Sequence, residues 1–342
     1  MDANGYWLSQ SARVAWYLSQ YLVSARAGGR RRRGAAARPQ PNLPTMRDLL
    51  VDLAGLLRRD RANIAAGVYK MPHDAVPDLR RWISDAALYF EDLPAVNARR
   101  ARGGFEELGA DDERLPAYYR RNFHYQTDGY LSARSAALYD HQVEVLFMGG
   151  AAAMRRQALV PIAAYVRRQR GRELRLLDLG SGTGDFLTFV KDNWPEIAIS
   201  AVDLSRYYLA EAARRLARWG GAGTVAAAAE ALPVADASID VATCIYLLHE
   251  VPDGERERIA AEVARVLRPG GRLIIVDSLQ YGDVPAYDGL LERFPASFHE
   301  PYYAGYAAAD LDAVFGGVGL RRTGREVAFF SKILVYDRPL PA

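Results

Sequence analysis

Apolar and polar positions change rhythm along the chain, and the changes mark its parts. In GYWLSQSARVAWYLSQYLV, Trp7, Val14, Leu18, Tyr21 and Leu22 recur at helical spacing with Tyr17 widening the stripe; this predicts one amphipathic helix. From Thr45 to about Arg170 the helical period persists, interrupted at Pro72, Pro77, Pro94, Gly103, Gly104 and Pro116, which predicts an all-helical region. Within it, SARSAALYDHQVEVLF reads as a helix opened by Ser132 or Ser135, just after the aromatic stretch YYRRNFHYQTDGYLS. Beyond Gly171 short apolar runs alternate with amphipathic stretches. RLLDLG, IAISAVDL, TVAAAAEALP, IDVATCIYLL and GRLIIVDSL read as strands. Helices fall after Gly184, from Ser205 to Trp219 and from Pro252 to Leu267. Such alternation predicts an α/β fold, a mostly parallel Rossmann-like sheet with helices on both faces.

The apolar runs stop far short of the ~18–20 residues that span a bilayer. The N-terminus has no secretory layout, because Tyr6 to Val23 is broken by Ser9, Gln10, Ser11, Arg13, Ser19 and Gln20; the expectation is a cytoplasmic protein. A single cysteine, Cys244, excludes an internal disulfide and a thiolate-rich zinc site, and its place inside a predicted strand reads as a small buried hydrophobe.

Charge is unevenly placed. Residues 1–48 carry eight arginines against Asp2 and Asp48, a balance of +6, within a chain of 342 residues and net charge +3. The stretch SARAGGRRRRGAAARPQPNLP has the composition of a flexible linker; attachment to nucleic acid or an anionic lipid surface is the alternative. The aromatics of the first helix suit a membrane interface. Its polar face is Ser and Gln rather than Lys and Arg, which favours docking on the body or on a second subunit. The expected organisation is an aromatic amphipathic helix over 1–23, a basic flexible linker over 24–44, a helical cap over 45–170 and a cofactor-binding domain over 171–342. His141 and Glu144, three apart on a predicted helix, lack further ligands nearby, so no metal is expected.

In LLDLGSGTGDF, Gly180, Gly182 and Gly184 occupy the first strand-to-helix turn. In a parallel sheet that turn is the floor of the ligand site, where bare backbone and helix-start N–H groups meet the ligand. Asp203 ends the next strand, where an acid accepts both hydroxyls of a ribose. A nicotinamide dinucleotide is disfavoured: the spacing is G-x-G-x-G, and Asp178 and Asp185 would repel a pyrophosphate.

Taken in order and spacing, DLGSGTG, AVDLS, EALPVADASIDV, YLLHEVP and ARVLRPGGRLIIVDSL closely resemble the class I S-adenosylmethionine-dependent methyltransferases. Within that family they are most similar to the broad group acting on quinone precursors, sterols and other small molecules. The resemblance covers Leu174 to about Asp337 and implies an antiparallel last strand, to which LRRTGREVAFFSKILVYDRP corresponds as two strands joined by a tight bend. It implies that Asp178, Gly180, Ser181, Gly182 and Gly184 line the methionine part of the cofactor. Asp203 would take the ribose hydroxyls, Leu204 would pack on the adenine, Glu230 and Ala231 would lie at the adenine edge, and Ile245 under the cofactor. Ala228 stands where the family often has an Asp for the adenine amino group.

Methyl displacement requires an in-line nucleophile and, for some acceptors, a base. His249, His124 and His299 are the candidate bases, with Glu250 and Glu300 beside two of them. Tyr125, Tyr302, Tyr303 and Tyr306 are candidates for an aromatic acceptor pocket, with packing of the insertion on the sheet as the equal alternative for the last three. The expected activity is methyl transfer from S-adenosylmethionine to a small, apolar or aromatic acceptor. The alternatives are a cofactor-binding but non-catalytic partner and, with only the basic arm behind it, an RNA or protein methyltransferase. No nucleic acid is expected as partner; residues 1–48 are the expected place of any peripheral membrane or homo-oligomer contact.

Overall fold

The structure is a computed structural model that describes residues 3–29, 43–103, 108, 115–169 and 171–341. Six helices come first: α1 (Ala3–Gly29), α2 (Met46–Ala65), α3 (Leu79–Arg102), α4 (Ala133–Leu146), α5 (Ala151–Arg156) and α6 (Leu159–Arg168). Then follow β1 (Arg175–Leu179), α7 (Asp185–Asn193), β2 (Ala198–Asp203), α8 (Arg206–Leu216), β3 (Gly223–Ala226), β4 (Ile239–Ile245), α9 (Asp253–Val266) and β5 (Leu267–Ser278). The chain closes with α10 (Asp288–Phe298), α11 (Tyr303–Ala308), α12 (Leu311–Gly317), β6 (Arg321–Ala328) and β7 (Ser331–Asp337).

The seven strands lie in the order β3-β2-β1-β4-β5-β7-β6. β7 alone runs antiparallel to β5, and β6 pairs antiparallel with it. The order reverses between β1 and β4, which places the ligand crevice at the carboxyl ends of those strands. All seven residues of β4 are buried, as expected of a central strand covered on both faces. One apolar core fills the side of the sheet facing the cap, where Leu53, Leu56, Met154 and Ile162 meet Leu176, Ile274 and Ile333; the other holds Leu177, Val202, Ile275 and the helices α9 and α12. Cap and sheet thus share a core.

Three sequence readings are adjusted. β3 is only four residues long, and Ala227 to Leu232 leave the sheet toward the crevice instead of continuing the strand. Residues 115–132 form turns rather than helix. α1 extends through residues 24–29, which were read as linker; residues 30–42 lie outside the described residues. The docked face of α1 includes the apolar stripe, Trp7, Val14, Leu18 and Tyr21 packing against the core, and extends beyond it. Leu22 is exposed, whereas Tyr6, Gln10, Tyr17 and Gln20 are buried, because the surface they meet is polar. The Tyr6 hydroxyl donates to Asp60 at 2.7 Å, Gln20 bonds His141 at 2.7 Å, and Arg13 reaches Asp74 at 2.8 Å and Glu144 at 2.7 Å. His141 and Glu144 therefore serve the docking of α1. Asp60, fully buried, also accepts from Tyr69 and from both Nε and Nη2 of Arg156, so one carboxylate ties α1, α2 and α5 together. No described helix is long and apolar enough to cross a membrane.

Candidate functional site

The turn after β1 carries the glycines. Gly182, at φ +52°, faces the crevice and donates its N–H to Asp203 Oδ2 at 2.9 Å. Gly184 serves packing: at φ +72° it begins α7, and a Cβ there would stand 2.9 Å from that of Ala212 on α8. Asp203, at the end of β2, also accepts the Ser205 N–H at 2.7 Å. Burial pushes its carboxyl up to about 6, with the backbone N–H groups opposing. Asp178 lies deeper, beneath the turn, and accepts the Thr243 hydroxyl at 2.5 Å. Burial pushes it up to about 7, against the pull of that hydrogen bond.

Gly180, Gly182, Asp203, Leu204, Glu230 and Ile245 line one cleft, together with Tyr118 and Tyr119 of the cap. Asp178, Ser181, Gly184 and Ala231 do not reach its surface. The Tyr118 hydroxyl donates to Glu230 Oε1 at 2.6 Å, and with both tyrosines in place the cleft measures about 70 Å³, room for a few waters rather than a nucleoside. The side chains nevertheless suit S-adenosylmethionine. Asp203 offers a carboxylate to a diol. Asp178, beneath the turn, would gain its negative charge from the neighbourhood of a cationic amine bound above it. Ser181 Oγ and Glu230 Oε2 are buried with no hydrogen-bond partner among the described residues, the kind of orphaned atoms that a bound polar ligand satisfies.

A second cavity, about 250 Å³, adjoins the cleft and shares Tyr139, Tyr246 and Glu250 with it. Its walls come from α4 (Val143, Leu146), the insertion between β5 and β6 (Leu290, Leu291, Phe294, Phe298, Tyr303) and Phe330; its polar lining includes His124, His249, Glu250 and Ser278. A further space of about 350 Å³ shares His124, Val143, Leu146 and Phe298 with it and runs between α1 and α3 past Tyr21 and Tyr89.

His249 Nδ1 pairs with Asp277 Oδ1 at 2.6 Å, and its Nε2 lies 3.9 Å from Glu250 Oε1. Burial alone would lower the imidazole pKa; Asp277 outweighs it and raises the value to about 9. His124, held in a left-handed conformation at φ +55°, places Nδ1 3.0 Å from Glu300 Oε1 and Nε2 3.7 Å from Glu250 Oε1. Its pKa is about 10, the two glutamates again overcoming burial. The Tyr130 hydroxyl donates to Glu250 at 2.5 Å.

The remaining candidates sort differently. His299 ends α10 and packs on the Tyr125 ring at 5.5 Å; neither lines the cavity. Tyr303 lines it and shares a 2.6 Å hydrogen bond with the Ser278 hydroxyl. Tyr306 is fully buried, donates to the Ser278 carbonyl and belongs to the far core. Tyr302 packs on the Phe123 and Tyr130 cluster. Cys244 is buried in β4, and burial raises its thiol pKa. Asp277 had no assigned role in the sequence reading. For Asp277 the signal is present: an acid closing the otherwise apolar run LIIV needs a buried partner.

Residues 176–271 match the model of a family described as a methyltransferase domain. Relatives include a ubiquinone/menaquinone biosynthesis C-methyltransferase from Methylobacterium nodulans, 34% identical over 164 residues, covering 47% of this chain and 63% of that protein. A malonyl-[acyl-carrier protein] O-methyltransferase from Methylococcus capsulatus is 36% identical over 125 residues, covering 36% and 44%. A solved S-adenosylmethionine-dependent methyltransferase from Methanosarcina mazei aligns with a TM-score of 0.42 at 21% identity, covering 53% of this chain and 98% of that one. The chain spans less than two thirds of the length of each of these two curated relatives.

Proposed function

With residues 176–271 a class I S-adenosylmethionine-dependent methyltransferase domain, we propose that the chain transfers a methyl group to a small, apolar or aromatic acceptor held in the 250 Å³ cavity. One observation carries this reading: Glu250, Tyr139 and Tyr246 belong to both the cleft and the cavity, so ligands in the two spaces meet across a shared wall. When bound, S-adenosylmethionine supplies an electrophilic methyl group. Asp203 holds the cofactor diol, and the apolar walls keep water from the acceptor. His249, oriented by Asp277, takes the proton of an acceptor that must lose one, in the neutral form that it reaches as pH rises through about 9. The relatives agree in being named methyltransferases and differ in the acceptor their names give, so the acceptor here is argued from the cavity alone.

The test is transfer of radiolabel from methyl-labelled S-adenosylmethionine into organic-soluble products of a small-molecule extract. Label should appear with the wild type, vanish with Asp203→Ala, and fall by about 10²–10⁴-fold with His249→Ala for a protonated acceptor. Cofactor binding without transfer to any fraction would sink the reading.

A further inference from the structure

Three side chains gather beside the cavity, Glu250 lining both it and the cleft, His124 the cavity alone, and Glu300 buried against His124, and nothing described above uses them together. His124 comes from the turn Phe123–Tyr125, Glu250 from the turn after β4, and Glu300 from the segment after α10. One donor atom of each lies within 4.8 Å of the other two. Glu300 is 1% exposed, and a carboxylate so enclosed requires compensation. Its compensation is the His124 ring alone: Oε1 lies 3.0 Å from His124 Nδ1 in a geometry that makes no hydrogen bond, and Oε2 has no hydrogen-bond partner among the described residues. The ion pairs of Glu250 and Glu300 among those residues involve only His124 and His249, with no Lys or Arg.

We propose that His124, Glu250 and Glu300 form a divalent-cation site that opens onto the acceptor cavity and binds an oxygen atom of the acceptor. Two carboxylates and an imidazole suit Mn²⁺ and Zn²⁺. Bonds of about 2.1 Å set neighbouring ligand atoms roughly 3.0–3.5 Å apart; here His124 turns Nδ1 to Glu300 at 3.0 Å and Nε2 to Glu250 at 3.7 Å, and since one ring nitrogen holds a given ion, the ligand atoms must close from within 4.8 Å as the ion enters. Glu300 Oε1, which makes no hydrogen bond, lies in this cluster, and the Tyr130 hydroxyl holds Glu250 by its Oε1. Three protein ligands leave coordination positions open, and His124 and Glu250 face the cavity. The acceptor class narrows accordingly, to apolar molecules carrying a phenolic, enolic or carboxylic oxygen. Cation binding stands on the cluster itself; its role toward the acceptor rests on the methyl-transfer reading.

Full-length protein stripped with a chelator is titrated with Mn²⁺, free ion being followed by electron paramagnetic resonance, and S-adenosylmethionine binding is measured on the same samples by calorimetry. One equivalent of Mn²⁺ should bind. Glu300→Gln and Glu250→Gln should each weaken it about tenfold or more, as loss of a ligand does, while Glu257→Gln on the exposed face of α9 should leave it unchanged. If the wild type binds neither Mn²⁺ nor Zn²⁺ at about 1 mM, the weak end of biological divalent sites, while still binding the cofactor, the proposal falls and the His124 imidazolium alone compensates Glu300. Binding indifferent to both glutamine variants also overturns it, since the ion then sits elsewhere. Wild-type titration decides the matter even if a variant does not fold. Mn²⁺ binding without cofactor binding would uphold this site and refute the proposed function instead.

Discussion

Tyr118 reaches from the cap across the mouth of the cleft to Glu230, and its hydroxyl is the contact a nucleoside would have to displace. Burial and the neighbouring carboxylate both raise the phenol pKa, so it remains a donor throughout the neutral range. A hydrogen bond to a charged group contributes about 1.5–3 kcal/mol when well buried. Tyr118 and Glu230 are half-buried, and solvent screening reduces this to about 1 kcal/mol. Tyr118→Phe removes the bond and keeps the ring. Because the free protein then has less to give up, the variant should bind S-adenosylmethionine about fivefold more tightly, the equivalent of about 1 kcal/mol. Calorimetric titration of wild type and variant at one pH measures the ratio, and denaturant unfolding of the free proteins should show the variant less stable by a similar amount. Unchanged or weaker cofactor affinity would refute the reasoning: the hydroxyl would then be part of the binding surface rather than a plug.

Three further outcomes follow from the buried groups. Asp178 has a folded-state pKa of about 7 against an ordinary 3.8, so the folded protein holds a proton that the unfolded chain releases between those values. The resulting stability is full below about pH 4 and is lost as pH rises through about 7. Asp178→Asn should abolish that loss, about 2–3 kcal/mol between pH 5 and pH 8 in urea unfolding. Asp60→Ala strands the buried Arg156 guanidinium and should cost about 3–5 kcal/mol, with protease sensitivity appearing first in α1. Gly184→Ala meets both a left-handed backbone and the Ala212 Cβ; destabilisation of about 2–4 kcal/mol is expected in thermal melts, although residue 184 does not touch the cleft.

The sheet was legible because its strands are buried on both faces, so β1, β2, β4 and β5 stand out as apolar runs, and the glycine turn and Asp203 follow from their place at the ends of two of them. The apolar part of the docked face of α1 was legible, as Trp7, Val14, Leu18 and Tyr21 pack on the core; its polar part was not, since Tyr6 and Gln20 are buried through hydrogen bonds and an apolar stripe says nothing about those. His141 and Glu144 illustrate the same point, their partners lying on a helix more than a hundred residues earlier. The histidines and glutamates of the cavity were visible one at a time. Their grouping depends on how a cap turn, the end of β4 and the insertion after β5 converge, which is tertiary geometry and leaves no local period.

Tyr118 and His124 belong to one short cap segment, the first resting on Glu230 in the cleft and the second against Glu300 beside the cavity. Lifting one end of so short a tether strains the other. On the proposed reading, cofactor entry must therefore precede completion of the acceptor pocket, and the demethylated cofactor must leave after the methylated product. Steady-state kinetics should show a compulsory order, with competitive inhibition by demethylated cofactor against S-adenosylmethionine and a mixed pattern against the acceptor. Such an order makes the demethylated cofactor the last ligand to leave, so that its accumulation slows every turnover.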